Sequence, residues 1–193
     1  MDSKERKKWL PKPYLLGFGA ARSIAGISDL VGSEEVIHNL YRHPLRQGSR
    51  YAEKYSQLDD FYSFGVLLLE LAMWTSLVAK GEDGSKKLDE QQSEVLTAGL
   101  WKSVKVEPAP ENHTRAFREM IAKYVPATMG SRFAEVIETC LTCLESDPAK
   151  QTEGAIVLRE ANQHGCQEVC LAFEERVLLE LEEIEQSLSR RGE

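Results

Sequence analysis

The sequence lacks both a surplus of basic residues and a long uninterrupted apolar run. Lysine and arginine number 24 against 31 aspartates and glutamates, so the net charge is −7. A nucleic-acid-binding surface needs a basic stripe to neutralise phosphates, and the acidic balance argues against a nucleic-acid partner. The longest apolar run, residues 65–74, is interrupted by Glu70 and is too short for a transmembrane segment. No apolar signal-peptide segment follows the basic N-terminus, so we expect a cytoplasmic protein.

Cysteine is scarce, and its placement argues against a disulfide framework. The four cysteines, all in the C-terminal third, are Cys140, Cys143, Cys166 and Cys170. Their C-x-x-C and C-x-x-x-C spacings offer four thiolates to a zinc ion. Cys140, however, lies on an apolar stripe typical of a buried helix face, and Cys170 has Val169 and Phe173 near it in the same way. Because a buried free cysteine behaves as a small hydrophobe, we expect core positions and no bound metal.

The apolar periodicity predicts a mainly helical fold. Residues 58–74 are apolar on nearly every face, so we expect a helix that is buried all round. A second helix is expected over residues 114–123, with Thr114 as a candidate N-cap, after an extended connection at residues 104–112. Ser131 is the candidate N-cap of the helix that carries the cysteine-bearing stripe.

Two further segments lie towards the ends of the chain. Residues 14–18 form a short apolar run after Pro13 and are most simply a strand. Residues 167–188 place large apolar side chains on one helix face and glutamates on the other. Because no clean heptad is sustained, we expect this last helix to pack on the domain rather than form a coiled coil.

Two segments in the first third of the chain carry motifs in an informative order. P-Y-L-L-G-F-G occupies residues 13–19, and D-F-Y-S-F-G occupies residues 60–65. Together they resemble the C-terminal lobe of a protein kinase. The first is similar to the D-F-G turn that opens the activation segment, and the second to the D-x-x-S-x-G start of the helix that anchors the lobe. The residues at the motif positions are Gly17, Phe18 and Gly19 in the first segment and Asp60, Ser63 and Gly65 in the second.

Later segments extend the resemblance in kinase order. His43 and Pro44, in Y-R-H-P, stand where A-P-E closes the activation segment, and D-P-A-K at residues 147–150 resembles the D-P-x-x-R turn. The similarity is closer still to fungal kinase-like proteins found beside HeLo-type prion-forming or cell-death domains. It implies a kinase-like C-lobe with a short strand near the N-terminus and no N-lobe. The expected divisions are an approach segment at residues 1–13, the lobe at 14–150 and a C-terminal helical extension at 151–193.

The resemblance implies that catalytic residues and cofactor sites are missing. In kinases the Asp of D-F-G holds magnesium against the phosphates, and here that position is Gly17, which has no side chain. The H-R-D-x-x-x-x-N loop precedes D-F-G, yet residues 1–16 contain no His or Asn. The glycine-rich loop and the ATP-pairing lysine belong to an N-lobe for which the chain has no residues. We therefore expect no phosphotransferase activity, no metal and no cofactor.

The resemblance also assigns structural roles that this sequence alters. In kinases the Glu of A-P-E pairs with the Arg of D-P-x-x-R, and these positions are Leu45 and Gln151 here. Loss of both partners together can be nearly neutral in energy, so we expect a folded lobe without that clamp. Asp60 either accepts backbone hydrogen bonds, as the resemblance implies, or caps its helix. We expect a hydrogen-bonded or surface role for His43 rather than general-base catalysis.

Three interpretations follow. The leading one is a catalytically inactive kinase-like C-lobe that acts as a protein-interaction module in intracellular signalling. The second is a truncated fragment of a larger ATP-dependent protein kinase, and the third is a plain helical scaffold. In the first interpretation Leu15, Leu16 and Phe18 line an uncovered cleft floor, so we expect a protein partner, an upstream domain or self-association.

Overall fold

The computed structural model describes residues 31–33, 39–50, 55–80, 86–88 and 110–191. The strand expected at residues 14–18 and the turn of Gly17, Phe18 and Gly19 lie outside these residues. The helices of the described part, in chain order, are α1 (Gln57–Met73), α2 (Pro110–Met129), α3 (Ser131–Thr142), α4 (Glu153–His164), α5 (Cys166–Phe173) and α6 (Leu179–Arg191). A π-helical turn, Glu174–Leu178, joins the last two, and 3-10 turns occupy Pro44–Arg46 and Pro148–Lys150.

Short antiparallel strand pairs accompany the helices. Strand β1 (Val31–Ser33) pairs with β2 (Gly48–Arg50), with Val31 opposite Arg50. Strand β3 (Val78–Lys80) pairs with β4 (Lys86–Leu88), with Val78 opposite Leu88. The prediction of a mainly helical fold is confirmed. None of the helices that the structure describes combines the length and apolar character needed to cross a bilayer.

Helix α1 is the central helix, but it is not buried on every face. Leu58, Tyr62 and Leu69 lie in the core, where α1 packs against α2, α3 and α4. Leu67 and Leu71 are 47% and 52% exposed, so the expectation of all-round burial is wrong. No described element covers that side, and apolar composition cannot reveal which faces of a helix find a neighbour.

Helices α1 and α3 approach closely at Gly65. A Cβ atom at this position would lie 2.7 Å from the Cβ atom of Cys140, so only glycine fits without displacement. Cys140 and the neighbouring Ile137 are fully buried, which confirms the stripe predicted for α3. The N-cap of α3 is Gly130, with φ at 89°, so Ser131 is its first helical residue and not its cap.

Helix α2 is longer at both ends than the sequence predicted. It begins at Pro110, so the extended connection does not reach residue 112, and Thr114 is a buried interior residue rather than an N-cap. A proline suits the start of a helix because the first amides have no intrahelical acceptor. The helix also continues through Pro126, since Phe117, Ile121 and Val125 carry its buried stripe up to that residue.

The C-terminal helices pack on the domain, as predicted. The Phe173 ring stacks on Phe61 with centroids 3.9 Å apart, and Val177 and Ile184 are buried. Arg132 of α3 forms ion pairs with glutamates of α6. Cys170, however, is exposed, because α5 buries the face that carries Val169, so the expected core position for this cysteine is wrong.

Candidate functional site

A partly enclosed cavity of about 470 Å³, with both polar and apolar lining, lies beside the 3-10 turn Pro44–Arg46. Its walls come from this turn, the start of α1, the residues after α3 and one face of α4. The polar residues that line it include His43, Arg46, Ser56, Asp59, Arg159 and Asn162. It therefore joins segments from distant parts of the chain.

A buried ion pair forms one wall of this cavity. The Arg46 Nε atom lies 3.1 Å from Asp59 Oδ1, and Arg46 Nη2 donates to Asp59 Oδ2 at 3.2 Å. The two side chains are only 8% and 6% exposed. The Ser56 backbone N–H also donates to Asp59 Oδ2, at 2.8 Å. Asp59 thus connects the turn to the N-terminus of α1 and neutralises Arg46.

His43 presents a buried donor at the cavity. Its side chain is 3% exposed, and its ring packs edge-on against Tyr62 with centroids 5.0 Å apart. The Leu45 backbone N–H donates to His43 Nδ1 at 3.3 Å, so in the neutral ring the proton resides on Nε2. Burial lowers the pKa of His43 to about 4, which keeps the ring neutral at physiological pH. Within the described residues, Nε2 has no hydrogen-bond partner.

Arg159 of α4 supplies a further positive charge to the lining of the cavity. Its Nη1 atom donates to the backbone oxygens of Glu145 and Ser146 at 2.7 and 3.1 Å, which anchors α4 to the chain after α3. In the described part of the chain, no carboxylate forms a salt bridge with this half-buried guanidinium. Asn162 lies three residues further along α4 and also lines the cavity.

The structure brings some of the residues predicted from the sequence motifs together and places others away from the cavity. Ser63 Oγ donates to the Tyr41 backbone oxygen at 2.8 Å, so α1 holds the segment that leads to His43 and Pro44. Gly65 lies at the crossing with α3 rather than at the cavity. Pro44 is the first residue of the 3-10 turn.

Asp60 does not take the capping role that was one of its two expected functions. Asp60 is exposed and accepts a hydrogen bond from the Tyr55 hydroxyl, whereas Asp59 caps α1 through Ser56. A rotation of about 100° separates adjacent residues on a helix, so only one of two consecutive aspartates faces the turn. The sequence showed a pair of adjacent aspartates, but the capping role considered for Asp60 belongs to Asp59.

The two positions that would form the A-P-E to D-P-x-x-R ion pair in kinases, Leu45 and Gln151, do not take part in the Arg46–Asp59 ion pair. Leu45 is 53% exposed, and Gln151 donates from Nε2 to the Thr142 backbone oxygen at 3.3 Å. Arg46, immediately after Leu45, forms the buried ion pair with Asp59 instead. Sequence reasoning missed this pair and missed Arg159, because neither lies in a recognisable motif.

The cysteines occupy two environments. Cys140 and Cys143 are buried, and burial raises the pKa of Cys140 to about 12. Cys166 and Cys170 are exposed on α5, where Gln57 Nε2 approaches Cys166 Sγ at 2.7 Å. No group of three or more potential metal ligands occurs among the described residues.

Comparison with known proteins assigns no family to this chain. The chain matches no protein-family model, no curated protein and no solved structure. The fold defines a mainly helical domain with a cavity of mixed lining, and the contacts above are the basis for the proposed function.

Proposed function

We propose that this chain is a catalytically inactive kinase-like C-lobe that acts as a protein-interaction module. The observation that carries this proposal is the hydrogen bond from Ser63 Oγ to the Tyr41 backbone oxygen at 2.8 Å. It joins the D-x-x-S-x-G segment to the Y-R-H-P segment, two motifs whose order suggested the resemblance. The close contact of Gly65 with Cys140 of α3 is a second support from a motif position.

The absence of catalysis rests on the sequence. Gly17 stands where kinases use a magnesium-binding Asp, so the chain lacks the group that holds a metal against the phosphates. We expect calorimetric titration of the full chain with Mg–ATP to give no saturable heat. Micromolar binding of Mg–ATP would overturn the inactive assignment and favour the fragment of an active kinase.

The interaction role is supported by an exposed apolar stripe on α1. Leu67 and Leu71 are separated by four residues, which places them on one face of α1, and Trp74, the C-cap residue directly after the helix, is 89% exposed. Clustered exposed apolar side chains mark interaction surfaces or aggregation liabilities. In the absence of another partner, we expect a second copy of the chain to occupy this stripe.

Sedimentation velocity at micromolar concentration tests whether these exposed apolar residues mediate self-association. We expect the unmodified chain to self-associate, and the double substitution Leu71→Lys with Trp74→Lys to give a monomer. Leu188→Lys is the matched control, because Leu188 is equally exposed but lies on α6. A monomeric parent chain that fails to bind a hydrophobic dye would contradict the interaction role.

A further inference from the structure

His43, which lines the cavity beside Pro44–Arg46, carries a buried donor that the described protein does not satisfy. His43 Nε2 carries the ring proton, since Nδ1 accepts from the Leu45 N–H at 3.3 Å. The side chain is 97% removed from solvent, and no acceptor among the described residues lies within reach of Nε2. Leaving a buried donor without an acceptor is costly, so native structures usually provide one. An acceptor atom of a ligand would satisfy it.

The side chains that line the cavity carry a net positive charge. Asp59 is its acidic lining residue, and both of its oxygens already accept hydrogen bonds from Arg46. Arg159 adds a further positive charge, and its described hydrogen bonds go to neutral backbone oxygens. The chain as a whole has a net charge of −7, so this cationic cavity contrasts with its overall composition.

The remaining lining suits the body of a small molecule. Leu58, Cys143 and Leu144 supply apolar surface, and Ser146 and Asn162 supply polar groups. A volume of about 470 Å³ falls within the usual range for small-molecule sites. Apolar walls with a few convergent polar groups are the usual composition of such sites.

We propose that this cavity is a binding site for a small organic anion, a carboxylate or a phosphate monoester with a compact apolar body. Arg159 supplies the charge that holds the anionic head, since a guanidinium matches the planar geometry of these oxyanions. His43 donates from Nε2 to an oxygen of the ligand. The site is independent of the kinase-like resemblance, because none of the contacts that define it depends on a motif for phosphoryl transfer.

Calorimetric titration of the full chain tests the ligand class. Benzoate and phenyl phosphate are the probes, and benzylammonium has a similar body with the opposite charge. We expect saturable binding of at least one anion and none of benzylammonium. The anion that binds more tightly identifies the preferred head group. Inorganic phosphate, which lacks the apolar body, is expected to bind more weakly than phenyl phosphate if the phosphate is preferred. Failure of both organic anions to bind in the millimolar range would overturn the proposal.

Substitutions locate the binding in the cavity. We expect Arg159→Gln to weaken the preferred anion by about tenfold or more, because it removes a charge-assisted hydrogen bond, and Arg159→Lys to retain part of the affinity. The matched control is Arg132→Gln, which removes the same charge from the surface of α3, where Arg132 pairs with Glu180 and Glu183. Circular dichroism establishes that each variant is folded. Equal affinities for the parent and Arg159→Gln would contradict the site.

His43 is tested by a substitution that keeps a donor. We expect His43→Gln to bind the preferred anion more tightly than His43→Leu, because the amide N–H can replace Nε2–H. Thermal unfolding with and without ligand provides a second readout, since a ligand that binds the folded state raises Tm with concentration. A ligand-induced rise in Tm that is the same in both variants would show that His43 takes no part.

Discussion

At the residue scale, the difference between two consecutive aspartates organises the start of α1. Asp59 is buried and accepts hydrogen bonds from Arg46 and Ser56, whereas Asp60 is exposed and contacts Tyr55. A buried ion pair contributes little net stability compared with an apolar pair, but removal of one partner leaves the other charge uncompensated. The two positions should therefore respond very differently to the same substitution.

Asp59→Asn is expected to lower the free energy of unfolding by about 1.5–3 kcal/mol, because the buried Arg46 side chain loses its charge-assisted hydrogen bonds to this carboxylate. Asp60→Asn is the matched control and should change it by no more than about 0.5 kcal/mol, as is usual for an exposed position. Urea denaturation followed by circular dichroism measures both values. Equal losses at the two positions would contradict the role assigned to the ion pair.

His43 is expected to make stability depend on pH below neutrality. Burial lowers its pKa from 6.5 to about 4, although nearby Asp59 acts in the opposite direction. Between these values the unfolded chain binds the proton and the native chain does not, so stability falls as the pH decreases from 6.5 to 4. The full loss is about 3 kcal/mol, at about 1.4 kcal/mol per pH unit.

Urea denaturation at a series of pH values measures this dependence. His43→Gln removes the titrating group, so its free energy of unfolding should fall less over the same interval. The charges that face His43, Arg46 and Asp59, are present in both proteins. Identical pH profiles for the parent and the variant would show that His43 does not cause the dependence.

At the scale of the element, α1 has one buried and one exposed apolar side. Leu68 is 5% exposed, whereas its neighbour Leu67 is 47% exposed. We expect Leu68→Asp to place an unpaired charge in the core, which costs several kcal/mol and is sufficient to unfold a domain of ordinary stability. Leu67→Asp should remain folded. Thermal unfolding of the two variants measures the difference, and similar melting temperatures would mean that the two positions do not differ in burial.

The crossing of α1 and α3 depends on the missing side chain at Gly65. A Gly→Ala substitution inside a helix usually stabilises it by about 0.5–1 kcal/mol. Here the added Cβ would lie 2.7 Å from the Cβ of Cys140, so we expect Gly65→Ala to destabilise the protein by about 1–3 kcal/mol instead. Chemical denaturation measures the change in the free energy of unfolding.

A double-mutant cycle separates this clash from a general loss of packing. Cys140→Gly removes the Cβ atom that Gly65→Ala would contact, so the double variant should lose less stability than the sum of the two single losses. Strictly additive losses would show that the two helices do not meet as closely as the structure indicates.

At the scale of the whole molecule, the C-terminal helices share one hydrophobic core with the earlier helices. The buried residues of α4, α5 and the segment that follows belong to the same cluster as those of α1 and α3; they include Ala155, Leu158, Val169, Val177 and Ile184. The stacking of Phe173 on Phe61 of α1 strengthens this connection. We infer that the described helices unfold together.

Removal of residues 166–193 should therefore destabilise the rest of the protein. The deletion exposes the Phe61 ring and removes buried Val and Ile side chains, each of which contributes about 1.5–3 kcal/mol when fully buried. Removal of residues 188–193 is the control, because Leu188 is exposed. Thermal unfolding and limited proteolysis compare the two truncations. An unchanged melting temperature in the longer deletion would show that residues 166–193 form a separate unit.

Local apolar spacing predicted much of the fold and little of the site. The stripe through Ile137 and Cys140 predicted α3 and its buried face, because both depend only on the period of a single helix. The ends of α2 were missed, since the tertiary burial of Val125 carries a helix through Pro126 against its intrinsic preference. His43 was expected to have a hydrogen-bonded or surface role, but its burial and its unsatisfied Nε2 became visible only with its neighbours in place.

The sequence by itself determined that this chain is mainly helical, that α3 has a buried stripe and that the last helices lie on the domain. These properties follow from composition and from spacing within single elements. Only the tertiary structure decided that Asp59 rather than Asp60 is buried and that His43 shares a cavity with Arg159. The reason is that the partners come from separate segments, so their contact depends on how helices pack and not on any local spacing.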